Sequence, residues 1–158
     1  MESFEIRRGR KIGGGAPAFV IAEIGANHNR SLSLAKEMID AAVAAKADAV
    51  KFQIYSAETL YSRNTPRHSG YDKDLFSLIK EIETPREWLP ELAAYCEARN
   101  ILFFATPFDA AAVDELDAVS ALFKIASFEI VDLPLIRYCA SKGKPLLLST
   151  GLASMEEI

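Results

Sequence analysis

Charged and polar side chains stand in this sequence at positions where an apolar run has no structural use for them. Glu23 ends the run Phe19–Glu23. Lys51 and Gln53 interrupt Ala49–Ile54. Thr106 follows Ile101–Ala105, and Lys124 sits inside Ala121–Ile125 with Ser127 and Glu129 just beyond it. Ser149 follows Pro145–Leu148. Burying an unpaired charge is costly, so such residues are paired or they do chemistry. Two lysines supply point charge, and the hydroxyls of Thr106, Ser127 and Ser149 supply donors. That set suits a small anion carrying phosphate and carboxylate, helped by helix N-terminal amides. Glu23 is the single carboxylate among the cations. It could serve as a base or stabilise a cationic transition state. The competing reading is structural: Glu23 could pair with Lys51 or Lys124 and do nothing more.

The elements that carry these residues read as buried strands. All five runs are short, and most are apolar on both faces, as parallel strands covered by helices should be. Helical patterns separate them. Leu32, Ala35, Met38, Ile39, Ala42 and Val43 form one apolar stripe. Thr84-Pro85-Arg86-Glu87 reads as a capping box with proline at the first helical position, opening a helix with Trp88, Leu89, Leu92 and Cys96 inward and Pro90 as an internal kink. Asp109 caps a helix that turns Val113 and Leu116 inward, and Asp132 caps another that Gly143 closes. The order β-α-β-α-β-α-β-α-β implies a parallel α/β sheet. Ahead of it, Phe4–Ile6 and Arg10–Ile12 can pair as a hairpin across Arg8-Gly9. The connection from Tyr55 to Glu83 is the longest, with a short helix expected near Asp74–Ile82; long connections at a strand's C-terminal end are often functional.

Side chains two apart on a strand share a face. Ile21 with Glu23, Lys51 with Gln53, Phe104 with Thr106 and Leu147 with Ser149 therefore point the same way. If the strands close into a barrel, their polar ends meet at its C-terminal mouth, where such enzymes place their sites. The expected fold is a TIM-type (β/α)8 barrel, represented by its N-terminal portion of about five strands and preceded by a short hairpin. A full barrel needs about 250 residues, and this chain has 158. Ser154-Met155-Glu156-Glu157 reads as a capping box for a further helix that stops at Ile158. Residues 1–158 are thus expected to be part of one barrel domain.

Composition narrows the class. The chain is half hydrophobic and one quarter charged, with a net charge of -4, which is ordinary for a globular protein and poor for nucleic acid. No apolar run approaches the roughly 18 residues of a membrane span, and Met1 to Lys11 lacks the apolar stretch of a signal peptide. Cys96 and Cys139 form no CxxC pair and read as reduced core residues of a cytoplasmic protein.

Ile21-Ala22-Glu23-Ile24-Gly25-Ala26-Asn27-His28-Asn29 resembles the opening motif of the sialic acid synthase family. Val50-Lys51-Phe52-Gln53, Ala105-Thr106-Pro107-Phe108, Phe123-Lys124-Ile125-Ala126-Ser127-Phe128-Glu129 and Leu148-Ser149-Thr150-Gly151 resemble its later motifs, in the same order. The resemblance implies condensation of phosphoenolpyruvate with an open-chain N-acyl amino sugar. Lys51, Lys124, Thr106, Ser127 and Ser149 would hold the phosphate and carboxylate, Gln53 would lie between the substrates, and Glu23 would be the catalytic carboxylate. A divalent metal, manganese or magnesium, is implied, with its histidine ligands on later strands outside this chain. So is a C-terminal antifreeze-like domain that completes the partner's site in a swapped homodimer. The stretch Ala126-Ser127-Phe128-Glu129-Ile130, together with Ala26-Asn27-His28-Asn29, looks more like pseudaminic acid synthases, which take a diacetamido-trideoxy-altrose in place of N-acetylmannosamine.

Other signals are weaker. His28 and His68 are too far apart to indicate a metal site. His28 either lines a sugar pocket or is a hydrogen-bonded structural residue, and His68 reads as solvated. Gly13-Gly14-Gly15 precedes a strand and opens no helix, so it is not a phosphate-binding loop. Tyr55, Tyr61 and Tyr71 could shape a sugar pocket or pack the long loop. Glu129 could support a lysine. Two alternatives stand beside the synthase: another phosphoenolpyruvate-condensing barrel such as a deoxy-octulosonate phosphate synthase, for which Arg63, Arg67 and Lys73 could bind a sugar phosphate, and a non-catalytic truncated fragment.

Overall fold

The computed structural model describes residues 3–7, 9–65, 70 and 72–158. Arg8, Arg67, His68 and Tyr71 lie outside these described residues. Strands β1 (Phe4–Arg7) and β2 (Arg10–Ile12) pair antiparallel. Five strands, β3 (Ile21–Gly25), β4 (Ala49–Ile54), β5 (Leu102–Pro107), β6 (Phe123–Ile125) and β7 (Leu146–Leu148), form one parallel sheet in chain order. Helices α1 (Leu32–Ala44), α2 (Ala57–Leu60), α3 (Leu75–Ile82), α4 (Leu89–Ala98), α5 (Ala110–Asp117) and α6 (Leu133–Ser141) fill the crossovers. Consecutive strand order with helical crossovers is the barrel's winding, here through five strands.

The two faces of the sheet bury different sets. Val50, Phe52, Ile54, Phe103, Ala105, Phe123 and Ile125 pack against Ala35, Ile39, Leu92, Val113 and Leu116 of the helices. On the other face Ala49, Phe104 and Leu122 form a small cluster with Ile21, Leu102 and Leu147, and Ile6 and Phe19 cover it from the hairpin side. The hairpin thus closes the N-terminal end of the strands. Arg10 fixes it there: its guanidinium donates to both oxygens of Asp48 at 2.7 and 3.0 Å and to Ala18 O at 2.7 Å. Asp48 also accepts from Val20 N at 2.7 Å.

That clamp explains why the first strand begins at Ile21 rather than Phe19. Val20 is held by Asp48, a side chain, before the ladder starts. Three further expectations are corrected. Thr84 caps nothing. Residues Arg86–Trp88 form a 3-10 turn that follows Pro85, with no side-chain cap, because the Thr84 hydroxyl bonds elsewhere. Pro90 does not kink a helix: α4 starts at Leu89, so Pro90 occupies its first turn, where no amide hydrogen is needed. Ser154 to Glu157 is a turn, not a helix. Its Glu157 carboxylate accepts from both Ser154 N (2.8 Å) and Ser154 Oγ (3.0 Å), which is a capping interaction without the helix.

Other local readings hold. Asp74, Asp109 and Asp132 each accept from the amide three residues on, at 2.9, 2.7 and 3.0 Å. Gly143 closes α6 at φ 71°. Cys96 and Cys139 are buried free thiols, and burial pushes them up to about 12 and about 11.

Candidate active site

The polar residues lie on the inner face at the C-terminal ends of the strands. In register, Glu23 stands beside Lys51, and Gln53 beside Thr106. Glu23 and Lys51 form an ion pair whose lysine side chain is 13% exposed and whose carboxylate is 45% exposed. The lysine is therefore sheltered while Glu23 faces the opening. The ladder slips between Glu23 and Gly25, so that Gly25 rather than Ile24 pairs with Phe52. Gly25 takes φ 58°, and a Cβ there would sit 3.2 Å from Glu23 Oε1 and 3.6 Å from the Gln53 amide. Glycine is needed for both reasons: the left-handed turn and the close approach. The side chains of Glu23 and Gln53 both approach Gly25 at this bulge.

Lys124 lies near this pair. Burial pushes its ammonium below the ordinary lysine value, and Lys51 pushes the same way, while Glu23 and Glu129 pull it back. Two cations thus share the mouth with two carboxylates. Thr106 Oγ1 is buried and has no partner among the described residues, which is rare for a native hydroxyl and marks an unused donor. Glu129 Oε2 is likewise buried and unpartnered. Ser127 approaches the chain just after β7: a Cβ on Gly151 would meet Ser127 Oγ at 3.6 Å. Ser149 N bonds Ile125 O at 3.0 Å, which holds Ser149 at the end of β7 next to β6. Glu23, Lys51 and Lys124 act on one another electrostatically, Gln53 and Thr106 stand side by side on β4 and β5, and Ser127 and Ser149 lie at the β6–β7 end.

Beside Glu23 and Gln53 opens a cleft of about 430 Å³. One wall is polar, with Asn27 and Asn29 from the loop after β3. The facing wall is apolar, with Tyr55, Leu60, Ile79, Ile82 and Phe108. Burial raises the Tyr55 phenol to about 12, and Phe108 packs edge-on against its ring at 5.7 Å. A second hollow of about 250 Å³, lined by Arg10, Asp48 and Asn100, lies at the opposite end of the strands under the hairpin, away from these groups.

Sequence reading missed the apolar wall. Leu60, Ile79 and Ile82 sit on α2 and α3, and only the amphipathic pattern of α3 hinted at a buried side. His28 does not line the cleft. It is fully buried, and burial lowers its pKa. Its Nε2 bonds Thr84 Oγ1 at 2.8 Å and its Nδ1 accepts from Arg30 N at 3.1 Å. Among the described residues no group of three or more His, Cys, Asp and Glu side chains converges to hold a metal. The donors present do not fit a metal centre, so no step is assigned to one. No helix of the described residues is long and apolar enough to cross a membrane.

The chain is similar to several known proteins. The spore coat polysaccharide biosynthesis protein SpsE of Bacillus subtilis is 39% identical across all of this chain and 43% of its own length. The pseudaminic acid synthase of Helicobacter pylori is 40% identical, over 90% of this chain and 44% of its own length. The crystal structure of N-acetylneuraminic acid (sialic acid) synthetase from Leptospira borgpetersenii, in complex with citrate, superposes with a TM-score of 0.88 at 38% identity, covering 99% of this chain and 52% of that one. The chain therefore spans about half or less of the proteins it matches. The model of the NeuB family matches residues 38–158, and with the barrel strands and their polar ends in place, the chain belongs to that family.

Proposed function

We propose that this chain forms the phosphoenolpyruvate-binding side of a nonulosonic acid synthase. The observation that carries the reading is the group at the mouth: the Glu23–Lys51 pair, Lys124 held below its ordinary pKa, and the buried, unpartnered hydroxyl of Thr106. An entering phosphate or carboxylate would give Thr106 its partner and offset the repulsion between the two lysines. Ser127 and Ser149 would complete the cradle.

In the reaction, carbon three of phosphoenolpyruvate bonds to the sugar's aldehyde carbon, whose oxygen takes a proton. Carbon two becomes cationic. Glu23 faces the opening, where it can stabilise that cation and take a proton from the water that adds there. The resulting hemiketal phosphate loses phosphate by C–O cleavage and leaves a keto acid. Gln53, which approaches Gly25 beside Glu23, would lie between the two substrates. The divalent metal that the family resemblance implies would be held by residues outside this chain. On this reading residues 1–158 are the N-terminal portion of a single barrel domain within a homodimeric enzyme.

For the sugar, the diacetamido-trideoxy-altrose is favoured over N-acetylmannosamine. The apolar wall of Leu60, Ile79, Ile82 and Phe108 supports it, because a methyl terminus and a second acetamido group present more apolar surface than a hydroxymethyl and a hydroxyl. The motif Ala126-Ser127-Phe128-Glu129-Ile130 points the same way. The test is phosphate release from phosphoenolpyruvate by the protein expressed from its own gene, with manganese, offering each sugar separately. Release should require one sugar, favour the altrose, and fall by about 10²-fold or more in Glu23→Gln. No release with either sugar from folded, metal-loaded protein would overturn the reading.

A further inference from the structure

His28 and Thr84 are both essentially inaccessible, at 0% and 1% exposure, and neither lines the cleft. Yet the two are joined in a chain of hydrogen bonds that ends on a cleft residue. Arg30 N donates to His28 Nδ1 at 3.1 Å. His28 Nε2 meets Thr84 Oγ1 at 2.8 Å. Thr84 Oγ1 donates to the carbonyl of Gln53 at 3.0 Å.

The direction of this chain is fixed twice over. A backbone N–H can only donate, so Nδ1 must be the acceptor and the imidazole proton must sit on Nε2. From the other end, a carbonyl can only accept, so the threonine hydroxyl spends its hydrogen on Gln53 and must accept from histidine. Both constraints demand the same neutral tautomer. Burial lowers the His28 pKa and keeps that neutral form. The ring is held at 6.1 Å from Phe52 and at 5.6 Å from Trp88, so it has little freedom to turn. Phe52 is the neighbour of Gln53 on β4.

We propose that His28 and Thr84 are positioning residues that set the Gln53 amide in the cleft. The inference rests on the synthase reading for its consequence, though its geometry stands without it. Gln53 is the strand residue whose amide approaches Gly25 beside the Glu23 carboxylate, and it lines the cleft. Its backbone carbonyl is anchored by Thr84, which returns from the far end of the long excursion after β4. The first loop, through His28, therefore sets the second, and together they fix where the amide points. A shift of a fraction of an ångström at the carbonyl moves the amide against the reacting centre, and small misplacements there are costly.

The test uses Thr84→Val, which keeps shape and removes both bonds, and Thr84→Ser, which keeps the hydroxyl. In the protein expressed from its own gene, Thr84→Val should lower kcat and raise the sugar KM, together by about tenfold or more in kcat/KM, and leave the phosphoenolpyruvate KM unchanged. Thr84→Ser should recover most of the loss. In a Gln53→Ala background, Thr84→Val should add little, because it acts through Gln53. A full penalty in that background, an equal loss in Thr84→Ser, or a matching rise in the phosphoenolpyruvate KM would overturn the proposal. Wild-type protein that releases no phosphate would sink the synthase reading instead. The relay would then be decided by nitrogen-15 NMR of the wild-type imidazole and of the Gln53 side-chain amide. A protonated Nε2 with bare Nδ1, and an amide resonance that moves in Thr84→Val and returns in Thr84→Ser, would support it. A proton on Nδ1, or an amide indifferent to Thr84→Val, would overturn it; should Thr84→Val not fold, the wild-type tautomer decides.

Discussion

The Thr106 hydroxyl, buried beside Gln53, has no partner among the described residues. An unsatisfied buried polar group costs folding free energy that an isosteric methyl does not. Thr106→Val should therefore raise stability by about 1 kcal/mol in urea melts and weaken phosphoenolpyruvate binding by about tenfold, the loss of one hydrogen bond to a charged ligand. The reverse pattern, lower stability with unchanged affinity, would make Thr106 a packing residue. Lys124 carries a pH signature. Burial, then repulsion from Lys51, holds its pKa below the ordinary 10.5. Anion binding needs the protonated form, so affinity is present at low pH and is lost as pH rises through the depressed pKa, before an ordinary lysine would titrate. Calorimetric titration of phosphoenolpyruvate from pH 7 upward should show affinity falling below pH 10.5. Lys124→Arg keeps its charge throughout that range and should flatten the decline. An unaltered profile in Lys124→Arg would remove Lys124 from the anion site.

Neighbouring helices are tied to one another by a repeated device. Asp40 of α1 accepts from Tyr95 at 2.9 Å and from Arg99, at the end of α4. Asp114 of α5 accepts from Tyr138 at 2.5 Å and from Lys142 at 2.7 Å, at the end of α6. In both pairs a tyrosine and a cation four residues on stack together, and the cation also complements the helix C-terminus. Asp109 does more than cap α5. It accepts from Arg86 at 2.5 Å and from Thr59 at 3.0 Å, so it joins α2 and the turn before α4 to α5. Asp132 caps α6 in the same way, and among the described residues it meets no arginine or threonine in a comparable bridge. Asp132→Ala should cost about 1 kcal/mol, an ordinary cap, and Asp109→Ala clearly more, with the excess removed in an Arg86→Ala background. Equal costs would mean that the bridge adds nothing. These elements also mark how far the sequence could be read. Strand β4 was legible to the residue because it is apolar throughout except for Lys51 and Gln53, and the aspartate caps were legible because the signal is local. Thr84 was misread because a threonine before proline looks like a cap, whereas its hydroxyl is claimed by His28 and Gln53, which lie 56 and 31 residues away. Of the site, the polar strand ends could be listed from alternation alone. The bulge at Gly25 and the apolar wall on α2 and α3 depend on long-range packing that no local pattern encodes.

At the scale of the whole sheet, β3 and β7 are its two edges, and among the described residues no further strand pairs with either. Glu23 lies on one of those edges, which is why its carboxylate is nearly half exposed while Lys51 is sheltered. Phe128 and Met155 are 79% and 86% exposed, and Val131, Leu148 and Leu152 are exposed with them, in the connection after β6 and around β7. Unpaired strand edges beside exposed apolar side chains template association. On the proposed reading one water adds at carbon two while bulk water is kept from the developing charge, and a mouth walled by five strands on one side leaves Glu23 open. Expressed as these 158 residues alone, the chain should therefore associate and turn over no substrate. Light scattering on a sizing column should give a mass above the 17.4 kDa of one chain, rising with concentration. Leu148→Lys places a charge on the free edge of β7 and should shift the mass back toward one chain without altering the helical circular dichroism. A single sharp 17.4 kDa species at every concentration would mean that the edges are already protected.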